Sequence, residues 1–241
     1  MGKLSKLKFK TTKEKKMLTK EKAIQNLDEI IKKVEFARLQ VSQHKIVQIV
    51  GVSKYNTSDD VANVYKAGQR AFGENKVQDL KQKQEELDEY PISWHFIGTL
   101  QKNKINNLID LNPVLMHSLD SLDLAEELDK KLKTKNKTMN CLLQINSAFE
   151  DTKSGVEPIE AVEIYKTIEE KYTNIKLKGV MSIGANSENK EDIIKSFQLT
   201  KEIFDKCDGA EICSMGMSGD FELAILNGSN MIRVGSGLFK D

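Results

Sequence analysis

The chain has 241 residues, 30% of them charged, and its 37 basic and 36 acidic side chains leave a formal net charge of +1. That balance gives no global electrostatic case for a nucleic-acid or acidic partner, and no apolar run is long enough to cross a bilayer. Cys141, Cys207 and Cys213 are unclustered and lack CxxC spacing, which argues for reduced, buried thiols in a cytoplasmic protein rather than a disulfide framework.

Residues 1–18 carry Lys3, Lys6, Lys8, Lys10, Lys13, Lys15 and Lys16 with little apolar material, and are expected to form a basic, solvated or disordered tail. They lack the apolar segment of a secretory signal. From Thr19 the positions Ala23, Leu27, Ile30, Ile31, Val34 and Ala37 share one helical face. The β-branched run at 46–54, Ile-Val-Gln-Ile-Val-Gly-Val-Ser-Lys, predicts a strand buried on both faces. Lys54 is in phase with Gln48, Val50 and Val52, which puts it at the C-terminal mouth of whatever the strand builds. Taken alone, a strand-end lysine reaches for solvent.

A regular alternation follows. Ser58-Asp59-Asp60 opens a helix through Val61, Val64, Tyr65 and Ala67 that Gly68 stops. Strands are predicted at 70–75, 93–98, 114–119, 139–145, 177–183, 211–216 and 231–235. Between them lie an amphipathic helix on Val77, Leu80 and Leu87 and helices at 102–111 and 122–132. Further helices follow from Pro158 through Ile168, at 193–204 and at 221–226. Strands alternating with amphipathic helices require a parallel sheet. Eight of them predict a single (β/α)8 TIM-type barrel over 19–241, with an extra N-terminal helix. An open doubly wound sheet is the alternative, although no GxGxxG follows the first strand.

In such a barrel the chemistry sits at the C-terminal strand ends, where this sequence places Lys54, Asn75, His95, Asp120, Asn146, Ser182, Ser214 and Arg233. Ser214-Met215-Gly216-Met217-Ser218-Gly219-Asp220 leaves the seventh strand for a helix with Ser218 as its expected N-cap. Arg233-Val234-Gly235-Ser236-Gly237 ends the eighth. Helix N-termini and glycine-flanked turns expose unpaired N–H groups that suit a phosphate. A cap and a tight turn serving only the backbone is the other reading. Gly216-Met217-Ser218-Gly219-Asp220 falls short of a nucleophile elbow at its last position. There is no Walker A sequence, and His44, His95 and His117 are too scattered for metal-ligand spacing. A lysine and a phosphate cradle at one mouth suggest a ligand bearing both aldehyde and phosphate, and pyridoxal phosphate is the economical candidate.

The chain resembles the pyridoxal phosphate homeostasis proteins, the YggS/PROSC group. The resemblance rests on Val52-Ser53-Lys54, Phe72-Gly73-Glu74-Asn75, Trp94-His95-Phe96-Ile97-Gly98, Lys153-Ser154-Gly155, Leu177-Lys178-Gly179-Val180-Met181, Ser214-Met215-Gly216-Met217-Ser218 and Arg233-Val234-Gly235. It runs from about residue 25 to the end. It implies a barrel like the N-terminal domain of alanine racemase, with pyridoxal 5'-phosphate as a Schiff base on Lys54. By that similarity Ser214, Ser218 and the backbone N–H groups of Gly235 and Ser236 hold the phosphate. Arg233 faces the pyridine nitrogen, and Asn75, His95 and Met181 line the cofactor. Lys153 matches a family lysine associated with cofactor handover. Tyr55-Asn56 departs from the family, where many relatives carry further Lys and Pro residues.

The resemblance leads to a cytoplasmic, monomeric carrier that holds the cofactor and passes it to other proteins. A racemase needs a second base on the opposite substrate face, and the sequence after Gly237 is expected to leave no room for the domain that supplies it. Arginine against the pyridine nitrogen also disfavours ring protonation. The alternatives are an amino-acid racemase or lyase on the same barrel, or a cofactor-free aldolase using Lys54.

Overall fold

The computed structural model describes residues 17–150 and 154–240. Most of the expected basic tail, residues 1–16, and Lys153 lie outside the described residues. Leu18, read as part of that tail, is packed into the body: its N–H donates to Asp60 Oδ1 at 3.0 Å and its carbonyl accepts from Asn63 Nδ2 at 2.8 Å.

The elements run α1 (Lys20–Val41), β1 (Gln48–Val52), α2 (Ser58–Ala67), β2 (Ala71–Glu74), α3 (Val77–Glu86) and β3 (Ser93–Phe96). A 3-10 turn (Lys102–Lys104) leads into α4 (Ile105–Leu111), β4 (Leu115–Leu119), α5 (Leu122–Thr134) and β5 (Met139–Ile145). Then come α6 (Ala161–Lys171), β6 (Ile175–Ser182), α7 (Lys190–Phe204), β7 (Ile212–Ser214), α8 (Phe221–Leu226) and β8 (Met231–Val234). Each strand pairs in parallel with the next, and β8 closes on β1 through Gln48↔Met231 to Gly51↔Val234. The structure is the (β/α)8 barrel that the alternation predicted, and closure rules out the open sheet.

Local chemistry sets the element ends. Helix α2 opens at Ser58 as the sequence predicts, capped by Thr57 in a reciprocal box with Asp60, and Gly68 ends it at φ 124°. The first strand is shorter than the apolar run: Ile46 is 83% exposed, because pairing begins only at Gln48. Ile31, read onto the buried face of α1, is 41% exposed. Ala23, Leu27, Ile30, Val34 and Ala37 form the buried stripe, and Ile31 lies about 100° round from Ile30.

Two apolar layers hold the fold. Val50, Ala71, Leu115, Leu142, Met181 and Met231 fill the barrel lumen, and a larger annulus joins the strands to the helices, with Leu128, Phe72 and Phe197 fully buried. Each such side chain contributes roughly 1.5–3 kcal/mol by leaving water. In α1, Asn26 donates to the carbonyls of Leu238 at 3.2 Å and Lys240 at 2.7 Å, fastening the chain after β8 to the extra helix. All three cysteines are buried and free. Among the described residues no helix is long and apolar enough to cross a membrane.

Candidate functional site

At the C-terminal end of the barrel a cavity of about 680 Å³ is lined by Lys54, Tyr55 and Asn56 after β1 and by Met217, Ser218 and Gly219 after β7. Gly235, Ser236 and Phe239 line it from beyond β8, and Val52, Ile97, Met181, Ile183 and Arg233 form its inner wall. Lys54 reaches it as the period-two phase requires. Val50 fills the lumen, Val52 lines the cavity floor, and Lys54 follows two residues past the last ladder pair, Val52↔Gly73. The Lys54 side chain is exposed, and its Nζ lies 5.7 Å from the centre of the Tyr55 ring. Tyr55 itself takes a left-handed φ of 69°.

The two loops beside it carry donors. Ser218 does not cap α8; that position belongs to Asp220, whose carboxylate accepts the Met217 N–H at 2.6 Å. Ser218 Oγ instead accepts the Gly235 N–H across the mouth at 3.1 Å, which joins the two loops and leaves the serine hydrogen free to donate. Among the described residues the N–H groups of Ser218, Gly219 and Ser236 have no partner. A hydroxyl and three open N–H groups on one wall form an acceptor-seeking surface of the kind that takes phosphate oxygens. A Cβ at Gly235 would come within 3.3 Å of Val52, so a side chain there would crowd the cavity wall.

Arg233 enters from β8, only 5% exposed. Its Nη1 donates to the Ser214 carbonyl at 3.0 Å and to Ser214 Oγ at 2.7 Å, and its Nη2 donates to the Ser182 carbonyl at 2.9 Å. Three of its N–H groups are thereby spent on strand ends, leaving Nε–H and one Nη2–H for the cavity. Burial pushes the guanidinium down to about 10, with the Asp220 charge opposing, so it stays cationic at neutral pH.

Behind Arg233 the network continues across the barrel. Arginine can only donate, so Ser214 Oγ accepts from it and turns its own hydrogen towards His117 Nδ1, 3.5 Å away. The proton of neutral His117 then sits on Nε2 and donates to His95 Nδ1 at 2.9 Å. That leaves the His95 proton on Nε2, a buried atom without a partner. Burial lowers His95 to about 4. Burial, then the His95 and Arg233 charges, hold His117 well below its ordinary value. Both rings are therefore neutral at physiological pH.

The structure thus brings Lys54, Met181, Ser218, Arg233, Gly235 and Ser236 together on one cavity. Ser214 and His95 are not on its lining: Ser214 is fully buried behind Arg233, and His95 lies two residues before the lining residue Ile97. Asn75 faces a separate cavity of about 350 Å³ with Lys76, Gln78 and Lys104. Asn146 turns back to the loop after β5, where its Oδ1 accepts the Glu150 N–H at 3.3 Å. Half-buried Asp120 is raised above the ordinary carboxylate range by burial. The His95–His117 contact escaped the sequence reading. Its signal is that both residues fall on inward-facing positions of adjacent strands, since Leu115, two residues before His117, pairs with His95. No cluster of three or more metal-ligating side chains exists among the described residues.

A family model described as "Alanine racemase, N-terminal domain" matches residues 25–241. The pyridoxal phosphate homeostasis protein of Helicobacter pylori is 52% identical over 217 residues, covering 90% of this chain and 98% of that one. The human protein of the same name is 35% identical over 208 residues, covering 80% of this chain and 75% of its own. The solved structure of PipY from Synechococcus elongatus with pyridoxal phosphate bound superposes with a TM-score of 0.74 at 28% identity, covering 90% of this chain and 99% of PipY. The chain belongs to the pyridoxal phosphate homeostasis protein family, on the alanine racemase N-terminal-domain barrel.

Proposed function

We propose that the protein binds pyridoxal 5'-phosphate at the barrel mouth, holds it covalently on Lys54 and passes it to cofactor-requiring apo-enzymes, as a cytoplasmic monomer serving vitamin B6 homeostasis. The observation that carries this reading is a single cavity joining a strand-end amine to a wall of open N–H groups. The residues present fit the group. Bound there, pyridoxal phosphate supplies an aldehyde that condenses reversibly with a primary amine, forming a carbon–nitrogen double bond and releasing water.

The chain's own residues have separable tasks. Lys54 contributes the amine. The Ser218 hydroxyl and the N–H groups of Gly219 and Ser236 bind the phosphate, while Ser218 also fixes the Gly235 turn. Met181, Ile183, Val52 and Ile97 give the pyridine ring an apolar wall. Arg233 donates towards the ring nitrogen, and Ser214 and Ser182 hold its guanidinium in place. His95 and Asn75 act from outside the lining.

The same features argue for a carrier rather than an enzyme. A donor-only cation at the ring nitrogen opposes ring protonation and weakens the ring as an electron sink. Besides Lys54, the titratable side chains on the lining are Tyr55 and Arg233. Tyr55 directly follows Lys54 in the chain and is 79% exposed, and arginine is no base at neutral pH. The test is to offer the loaded protein D- and L-amino acids and, separately, an apo-enzyme that needs the cofactor. The expected result is reactivation of the apo-enzyme with no amino-acid turnover above that of free pyridoxal phosphate. Turnover that disappears in Tyr55→Phe or Lys54→Ala would overturn the carrier reading in favour of a racemase or lyase.

A further inference from the structure

We propose that the buried ion pair between Glu74 and Lys83 is a positioning device for Lys54, clamping the end of β1 so that the amine enters the mouth from one fixed point. Glu74, the last residue of β2, is fully buried, and Lys83 on α3 is 8% exposed. Lys83 Nζ donates to Glu74 Oε1 and also to the carbonyl of Ser53 at 2.8 Å. The Ser53 hydroxyl donates to the same Glu74 oxygen at 2.7 Å, and the Ser53 N–H donates to the Gly73 carbonyl at 3.1 Å. All three polar groups of Ser53 are therefore held from β2 and α3. The next residue is Lys54.

Stability alone does not account for the arrangement. A buried ion pair gains little over an apolar pair of the same volume, because both ions lose their hydration. Here the compensation is incomplete as well, since Glu74 Oε2 is buried without a partner. The charge is spent on one carbonyl, at the point where the β1 ladder ends. There the chain turns through Tyr55 at φ 69°, and the Asn56 N–H folds back on that same Ser53 carbonyl at 3.0 Å. Without Lys83 the peptide before Lys54 keeps its links to β2 and the local turn bond from the Asn56 N–H, and loses its tie to α3. A shift of about 1 Å at a reacting group is enough to cost up to 100-fold in rate.

The inference rests on Lys54 being the amine that takes the cofactor, so the test has one arm that involves the cofactor and one that does not. Lys83→Met leaves Glu74 buried and unpaired and can fail to fold. The working variant is therefore the double change Glu74→Gln with Lys83→Met, which removes both charges at similar volume. In the first arm, amide hydrogen exchange is followed without cofactor. Exchange of the Ser53 and Asn56 amides is expected to quicken about tenfold relative to wild type while β5 amides are unchanged. In the second arm pyridoxal phosphate is added, and the rate of linkage to Lys54 is read by absorbance and by mapping the peptide fixed with borohydride. That rate is expected to fall at least tenfold, with label spreading to other lysines, in a protein whose circular dichroism matches wild type. The conservative single change Lys83→Arg keeps a cation beside Glu74 and should link faster than the double variant. Unchanged exchange at 53–56, or a linkage rate within twofold of wild type, overturns the inference. Wild-type protein that never links at Lys54 would overturn the proposed function, and the exchange arm would still decide whether the ion pair positions this segment.

Discussion

Ser218→Ala isolates the phosphate end of the cavity. The serine oxygen accepts the Gly235 N–H at 3.1 Å, and its hydrogen is free for the ligand. Losing the first bond leaves one half-buried N–H without its acceptor, a cost of about 1 kcal/mol in stability, or about 2–4 °C in melting temperature for a domain of this size. Losing the second removes a hydrogen bond to a charged group, about 1.5–3 kcal/mol, which corresponds to roughly 10- to 150-fold weaker binding. The assay is equilibrium dialysis of pyridoxal 5'-phosphate and of pyridoxal, which lacks the phosphate, against wild type and variant. The phosphate ester should lose that factor while pyridoxal binding stays within about twofold. Ser214→Ala is the control from behind the cavity: it loosens Arg233, not the phosphate wall, and should weaken both ligands alike. Equal losses for both ligands in Ser218→Ala, or none for either, would refute the assignment of the phosphate to this wall.

Acid stability should carry the signature of His95. Its value in the folded protein, about 4, lies below the ordinary 6.5, so between those pH values the unfolded chain binds a proton that the folded chain excludes. Stability then rises with pH through that window and is lost as pH falls from 6.5 towards 4, by about 3 kcal/mol. His117, lowered by burial, adds to it in the same direction. Melting curves from pH 4.5 to 7 should be steeper for wild type than for His95→Leu, and parallel curves would contradict the buried neutral pair. Gly179→Ala should destabilise by more than about 3 kcal/mol, because Gly179 has φ 139° and a Cβ there would lie 2.0 Å from the Ile212 carbonyl oxygen. Chemical denaturation measures it, and a loss below about 1 kcal/mol would show that β6 and β7 can separate locally.

The barrel was legible because each strand brought its own punctuation. The run at 46–54 is apolar and β-branched, Gly68 stops the helix after it, and the same beat repeats to Val234. Period-two alternation was enough to carry Lys54 to the mouth. What stayed hidden depends on contacts between elements distant in sequence. Ser218 reads as a helix cap from its neighbours alone, yet its partner is Gly235, 17 residues on. His95 and His117 read as scattered until the β3–β4 register places them on one inward face. Lys83 lies three residues after Leu80 on the apolar side of α3, a position where a lysine signals a buried acceptor. Only the barrel supplies the two that meet it, Glu74 and the Ser53 carbonyl.

The central claim is that Lys54 is the covalent anchor for pyridoxal phosphate. The most direct measurement is the visible absorption spectrum of the protein mixed with pyridoxal 5'-phosphate, before and after borohydride, followed by mass mapping of the modified peptide. The account predicts a band that borohydride bleaches, with the cofactor fixed on Lys54 and no such band in Lys54→Ala. A protein that stays colourless with excess cofactor, or cofactor fixed on a different lysine, would contradict it.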